Sequence, residues 1–172
     1  MRSMRFYAAL AVLLLLAAGC GPKRVSSVRY GSPSAGSKVL LATEDTEFKN
    51  TILKNVVKSY EGQDVFIQVE SVPALDKINA EDFDAVVLIN TCMAWRVEPE
   101  IEAFIKKTAD KQKIVLLTTT GDPDLNIEAP GVDSVTSASR MENADHVSQK
   151  IIGKINRILG AGQGGAKGFA AP

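Results

Sequence analysis

Apolar positions along the chain alternate between two rhythms, short continuous runs and stripes with helical spacing. KVLLA (38–42) is a run short enough for a strand buried on both faces. Phe48, Ile52 and Val56 then recur at every fourth position, with Leu53, Val57 and Tyr60 alongside. Lys49, Lys54 and Lys58 take the other side, so the pattern predicts an amphipathic helix. Asp45 or Thr46 can cap its start, and Gly62 lies just past its end. DVFIQVE (64–70) reads as a second strand, PALDKI (73–78) as a short helix, and FDAVVLIN (83–90) as the central strand. Pro99 suits the first turn of a helix carrying Ile101, Phe104 and Ile105 on one face. KIVLLTTT (113–120) is another buried strand, and VDSVTS (132–137) a short final one. Ser139 and Glu142 match a capping box that opens a long helix with Val147, Ile151, Ile155 and Ile158 on its apolar stripe.

Strands alternating with helices imply a parallel sheet with right-handed crossovers. The expected fold is an α/β three-layer sandwich with a five-stranded parallel sheet of order 2-1-3-4-5. The segment 121–131 has no helical pattern, so the fourth helix is expected to be reduced or missing. The flank it leaves is read as a packed loop, with a partner surface as the other reading.

The ends of the 172-residue chain follow other rules. Arg2 and Arg5 precede an apolar run over 6–18, of signal-peptide length and too short to span a bilayer stably. The run ends in LLAAGC, where Ala17, Ala18 and Gly19 precede Cys20. Residues 21–37 are rich in Ser, Gly and Pro and read as a flexible tether. Fully extended, such a tether reaches roughly 55–60 Å, enough to hold a domain clear of a membrane. The Gly/Ala-rich segment 160–172 reads as a disordered tail. The organisation is therefore a signal peptide (1–19), Cys20 with its tether (20–37), one domain (38–159) and a tail (160–172).

The chain carries 20 basic and 20 acidic residues. Without Arg2 and Arg5 the balance is 18 against 20, and no basic stripe points to nucleic acid. Cys20 and Cys92 are the only cysteines, so a lipidated Cys20 leaves no internal disulfide. No zinc spacing, complete P-loop or nucleophile elbow appears, and no residue is assigned a catalytic or metal-binding role.

The LLAAGC motif resembles the lipobox of bacterial lipoproteins. The resemblance implies cleavage before Cys20, acylation of its thiol and, with more than one chain, stable membrane anchoring. It places the protein on the periplasmic side of a membrane, with Gly21 favouring the outer one. An envelope protein or a second copy of the chain would then be its protein partner.

The stretch 83–121, FDAVVLINTCMAWRVEPEIEAFIKKTADKQKIVLLTTTG, resembles the middle of the flavodoxin-like domain, and the likeness extends weakly over 38–159. That family holds flavin mononucleotide in three loops at the carboxyl ends of the strands, where ligands of open α/β sheets bind. By position, Thr43, Glu44, Asp45 and Thr46 form the first loop here. The second holds Asn90, Thr91, Cys92 and Trp95, and the third Thr119, Thr120, Gly121 and Asp122. Trp95 is placed to stack on a flavin ring or simply to pack.

The first loop departs from the family. Thr43 and Thr46 match its hydroxyls, but Glu44 stands where a glycine belongs and Asp45 follows it. At ~5 Å and an effective dielectric of ~20, each carboxylate facing a phosphate costs about 3 kcal/mol per unit charge. Carboxylates at a helix N-terminus also need no ligand to explain them. A weak cation site with Asn90 is the other reading of the pair.

The stretch 38–62, KVLLATEDTEFKNTILKNVVKSYEG, also resembles the opening of response-regulator receiver domains, whose first strand ends in an acidic pair. The phosphoacceptor aspartate expected after the third strand is replaced by Ile89 and Asn90, and the lysine after the last strand is missing. Cys92 reads as a small packing residue or a reactive thiol, and His146 as a solvent-facing helix residue.

The sequence thus supports a lipid-anchored envelope protein whose flavodoxin-like domain binds a ligand or protein through a degenerate cofactor site. The alternative is a flavin mononucleotide electron carrier with a non-standard phosphate loop.

Overall fold

The computed structural model describes residues 25–122 and 124–166. The apolar run over 6–18 and Cys20 lie outside the described residues.

Five parallel strands form the body of the sheet: β2 (Ser37–Thr43), β3 (Val65–Ser71), β4 (Ala85–Thr91), β5 (Ile114–Thr120) and β6 (Asp133–Ala138). A short strand, β1 (Val28–Tyr30), pairs antiparallel with β3 at one edge. The sheet therefore has six strands, in the order β1-β3-β2-β4-β5-β6. This corrects the expected five-stranded sheet of order 2-1-3-4-5. That order survives among the parallel strands, and the addition comes from a segment read as tether.

Gly31 makes the addition feasible. It has φ +79°, and a Cβ on it would stand 2.4 Å from the Val65 carbonyl oxygen, so the chain leaving β1 needs a glycine there. Val25 also packs against the core. The described part of the expected tether is thus built into the domain.

The strands alternate their side chains between two cores. Val39, Leu41, Val87, Ile89, Val115 and Leu117 face α1 (Glu47–Ser59) and α3 (Ala144–Ala166). Leu40, Ala42, Val86, Leu88, Ile114 and Leu116 face α2 (Pro99–Lys107) and the 3-10 helix Val72–Lys77. Burial on both faces explains the continuous apolar runs of β2, β4 and β5.

Two helix expectations are corrected. A 3-10 turn at Met141–Asn143 precedes α3, which begins at Ala144, so Ser139 and Glu142 form no capping box. The Ser139 N–H instead donates to the Thr120 carbonyl at 2.9 Å, and Glu142 pairs loosely with Arg140 at 3.8 Å. At the other end α3 runs on to Ala166, through residues read as tail.

Among the described residues, no helix stands between β5 and β6. The connecting loop packs instead: Ile127 is buried, its N–H donates to Thr136 Oγ1 at 3.0 Å, and Ala129 and Val132 rest on the second core.

Candidate functional site

The strands β2, β4 and β5 end side by side, and the three sequence-marked loops start there. The first links β2 to α1. Thr46 caps that helix, its Oγ1 accepting from the Lys49 N–H at 3.3 Å, while Asp45 accepts from Asn50 Nδ2 at 2.7 Å. Gly62, with φ +76°, follows the helix end as its C-terminal signal indicated.

Glu44 does something the sequence did not show. Its carboxylate accepts from Lys49 Nζ at 2.8 Å and from the Thr91 hydroxyl. The Lys49 ammonium also donates to Thr91 Oγ1. Helical periodicity put Lys49 on the solvent side, and this is a correction: its side chain is 2% exposed. The residue sits in the first turn of α1, where its stem lies over the sheet and its charge reaches the β2 and β4 ends. Burial pushes the Glu44 carboxyl up, but hydrogen bonds from Lys49 and Thr91 and the Lys49 charge hold it below the usual range overall.

Glu98 is the second residue that the sequence reading missed. Its Oε1 accepts from the Thr91 N–H at 2.7 Å, and its own N–H donates to Asn90 Oδ1 at 2.8 Å. These two bonds pinch the base of the loop between β4 and α2. Burial pushes the Glu98 carboxyl up, and despite the Thr91 N–H bond it stays raised, with the Glu44 and Glu100 charges adding to the rise. The only sequence signal for it was its place just before Pro99 at a helix start.

The remaining polar groups at the strand ends are spent internally. Asn90 is fully buried and its Nδ2 donates to Thr118 Oγ1 at 3.3 Å. Thr119 Oγ1 donates to the Asn90 carbonyl at 3.0 Å. Thr43, Thr118, Thr119 and Thr120 are all buried. The Asn90 side chain is thus held by Thr118 and the Glu98 N–H. Among the described residues, no three His, Cys, Asp or Glu side chains gather as metal ligands.

Gly121 and Asp122 are exposed, and the Asp122 N–H donates to Thr120 Oγ1 at 3.0 Å. Cys92 is half-buried, and its N–H extends the β4–β5 ladder to the Thr119 carbonyl at 2.8 Å.

Trp95 is brought to the same edge but does not pack into it. Met93 and Arg96 form an isolated antiparallel bridge, closed by the Arg96 N–H to the Met93 carbonyl at 3.1 Å. The two residues between have positive φ, 51° at Ala94 and 60° at Trp95. Left-handed backbone costs a residue with a side chain roughly 1–2 kcal/mol, and turns of this kind ordinarily use Asn and Gly. The turn leaves Met93 69% and Trp95 75% exposed.

Two clefts flank the sheet, and the one that includes Trp95 lies beside this edge. One of about 520 Å³ runs from Trp95 and Arg96 along α2 to Ile127 and Pro130. Another, of about 710 Å³, lies between Tyr30, Val57, Tyr60 and Ile67. Among the described residues, no helix is long and apolar enough to cross a membrane.

No family model and no curated protein matches the chain. Solved structures do. The flavodiiron core of a Synechocystis protein aligns with a TM-score of 0.54 and 8% identity over 74% of this chain. This chain spans only 37% of that core's length. A flavodoxin from the Archaea aligns at 0.47 and 10% identity, covering 71% of this chain and 99% of the flavodoxin. The general stress protein 14 of Treponema denticola, solved in complex with FMN, aligns at 0.37 and 13% identity, covering 72% and 96%. At such identities a likeness speaks for the fold alone, and only the flavodiiron core is carried into the assignment. The chain thus has an α/β fold with a mostly parallel sheet, and its structural neighbours are flavodoxin-like.

Proposed function

We propose that this chain is a lipid-anchored envelope protein whose flavodoxin-like domain works as a binding module, with its strand-end crevice closed by its own side chains. Acylation of Cys20 anchors it, the domain faces the periplasm, and the outer membrane is its location. The LLAAGC motif supports the anchor.

The observation that carries the binding-module reading is the Glu44–Lys49–Thr91 cluster. A flavin phosphate needs backbone N–H groups and a helix N-terminus free of negative charge. Here the junction of β2 and α1 holds a carboxylate, and the nearby ammonium already neutralises it. Opening the site for a phosphate would require Lys49 to leave Glu44, stranding a half-buried carboxylate beside a dianion.

A second reading keeps flavin mononucleotide as the cofactor of an electron carrier. The exposed Trp95 at the end of β4 favours it, since an indole there is free to stack on a flavin ring.

Titrating flavin mononucleotide into the purified chain separates the two. Trp95 is the only tryptophan, so its fluorescence reports on one loop. Unchanged fluorescence through high micromolar flavin is the expected result. Saturable quenching at micromolar or tighter concentrations would install the electron carrier instead.

A further inference from the structure

We propose that the carboxyl edge of the sheet rests against a lipid surface, with the Met93–Arg96 turn as the contact and Trp95 as its interfacial anchor. The inference rests on the lipid anchor at Cys20.

The direction of β1 carries the argument. Because β1 runs antiparallel to β3, the chain joins the domain at the end of the sheet where the parallel strands finish. Val28 pairs with Val69, Val69 with Leu41, and Leu41 with Val87. Val28 is therefore level with the middle of β4, and the residues before it run toward the level of Thr91. The Ser27 hydroxyl donates to Glu70 Oε1 at 2.6 Å near the carboxyl end of β3. Three strand spacings separate β1 from β4, about 15 Å at ~4.8 Å each.

The free tether is short. Val25 packs on the core, and Cys20 stands five residues before it. Five residues span at most about 18 Å, far less than a 17-residue tether would allow. An acylated Cys20 thus holds this edge beside the bilayer, and the opposite edge away from it.

The turn offers what such a surface takes. Met93 and Trp95 are the most exposed large apolar side chains among the described residues, and they share one tip. An indole sits well at the headgroup level, and Arg96 beside it can meet a lipid phosphate. The tip projects in a backbone conformation that packing within this chain does not repay. Exposed Glu47, Glu100, Asp122 and Asp124 belong to the same edge, so the surface that fits is zwitterionic rather than anionic.

The test uses the acylated full-length product reconstituted in phosphatidylcholine vesicles, with and without lipids brominated near the upper acyl chain. Co-sedimentation reports on the anchor, and Trp95 emission reports on the tip. The expected result is co-sedimentation, a blue-shifted emission and quenching by brominated lipid, with quenching reduced in phosphatidylglycerol vesicles. Quenching lost in Met93→Ser supports the same contact, because Trp95 itself is retained. A chain that co-sediments but shows red, unquenched emission overturns the lipid contact and leaves the anchor standing. Quenching that strengthens on phosphatidylglycerol overturns the zwitterionic assignment. A chain that does not co-sediment removes the anchor, and this inference with it.

Discussion

Lys49 is buried in the first turn of its helix and donates its ammonium to Glu44 at 2.8 Å, across the junction between the first parallel strand and that helix. Removing one partner of a buried pair leaves an uncompensated charge, whereas removing both with apolar groups of similar size is close to neutral. Lys49→Met leaves the half-buried Glu44 carboxylate unpaired and is expected to destabilise the fold by about 1–3 kcal/mol. Adding Glu44→Leu to Lys49→Met should restore most of that loss. Denaturant unfolding of the two single variants and the double variant measures the coupling.

The two carboxylates at this edge give stability opposite pH slopes. Glu44 titrates below its ordinary value of 4.5 in the folded state. Its contribution is present above 4.5 and is lost as pH falls through the lowered value. Glu98 titrates above 4.5, so the folded state retains its proton longer than the unfolded chain does. That contribution is present below 4.5 and is lost as pH rises through the raised value. Glu98→Gln keeps an acceptor for the Thr91 N–H and removes the titration. Unfolding free energies from about pH 4 to about pH 8 should decline less steeply in the variant, with the acid-side loss unchanged.

Ala94 holds positive φ in an exposed turn. Ala94→Gly should raise stability by about 0.5–1 kcal/mol, because relief of the backbone outweighs the entropy added to the unfolded chain. Thermal melts of the two proteins check it. A fall in stability would mean that the left-handed turn is not the ground state.

Trp95→Ala should change stability by less than about 0.5 kcal/mol, since the indole is 75% exposed. Equilibrium unfolding decides this, and a loss of about 3 kcal/mol or more would return Trp95 to the core, where truncating a residue of its size costs about 3–5 kcal/mol.

Much of the fold was legible because burial on both faces writes itself as apolar runs. Residues 38–42, 83–90 and 113–120 read as strands, and the structure places β2, β4 and β5 over them. The edge strand was not legible: VRY is three residues long, and its partner β3 lies some forty positions away. The site was marked only in outline. Glu44 and Thr91 meet, but the Lys49 that joins them was hidden by periodicity. A lysine at the start of an amphipathic helix reads as solvent-facing until the strand that holds its counter-charge is placed. Glu98 was invisible because its bonds run to the Thr91 N–H and the Asn90 side chain, at the end of a strand whose place the sequence pattern did not fix beside it. The end of α3 was missed because glycine and alanine carry no apolar stripe.

The most direct measurement is a pair of equilibrium dialysis titrations of flavin mononucleotide, one against the native chain and one against Glu44→Gly. The closed junction predicts no saturable binding to the native chain through high micromolar flavin. It also predicts measurable binding to the variant, whose Lys49 is released to face a phosphate. Micromolar or tighter binding to the native chain, unimproved by the substitution, would contradict the account and make Glu44 part of a working flavin site.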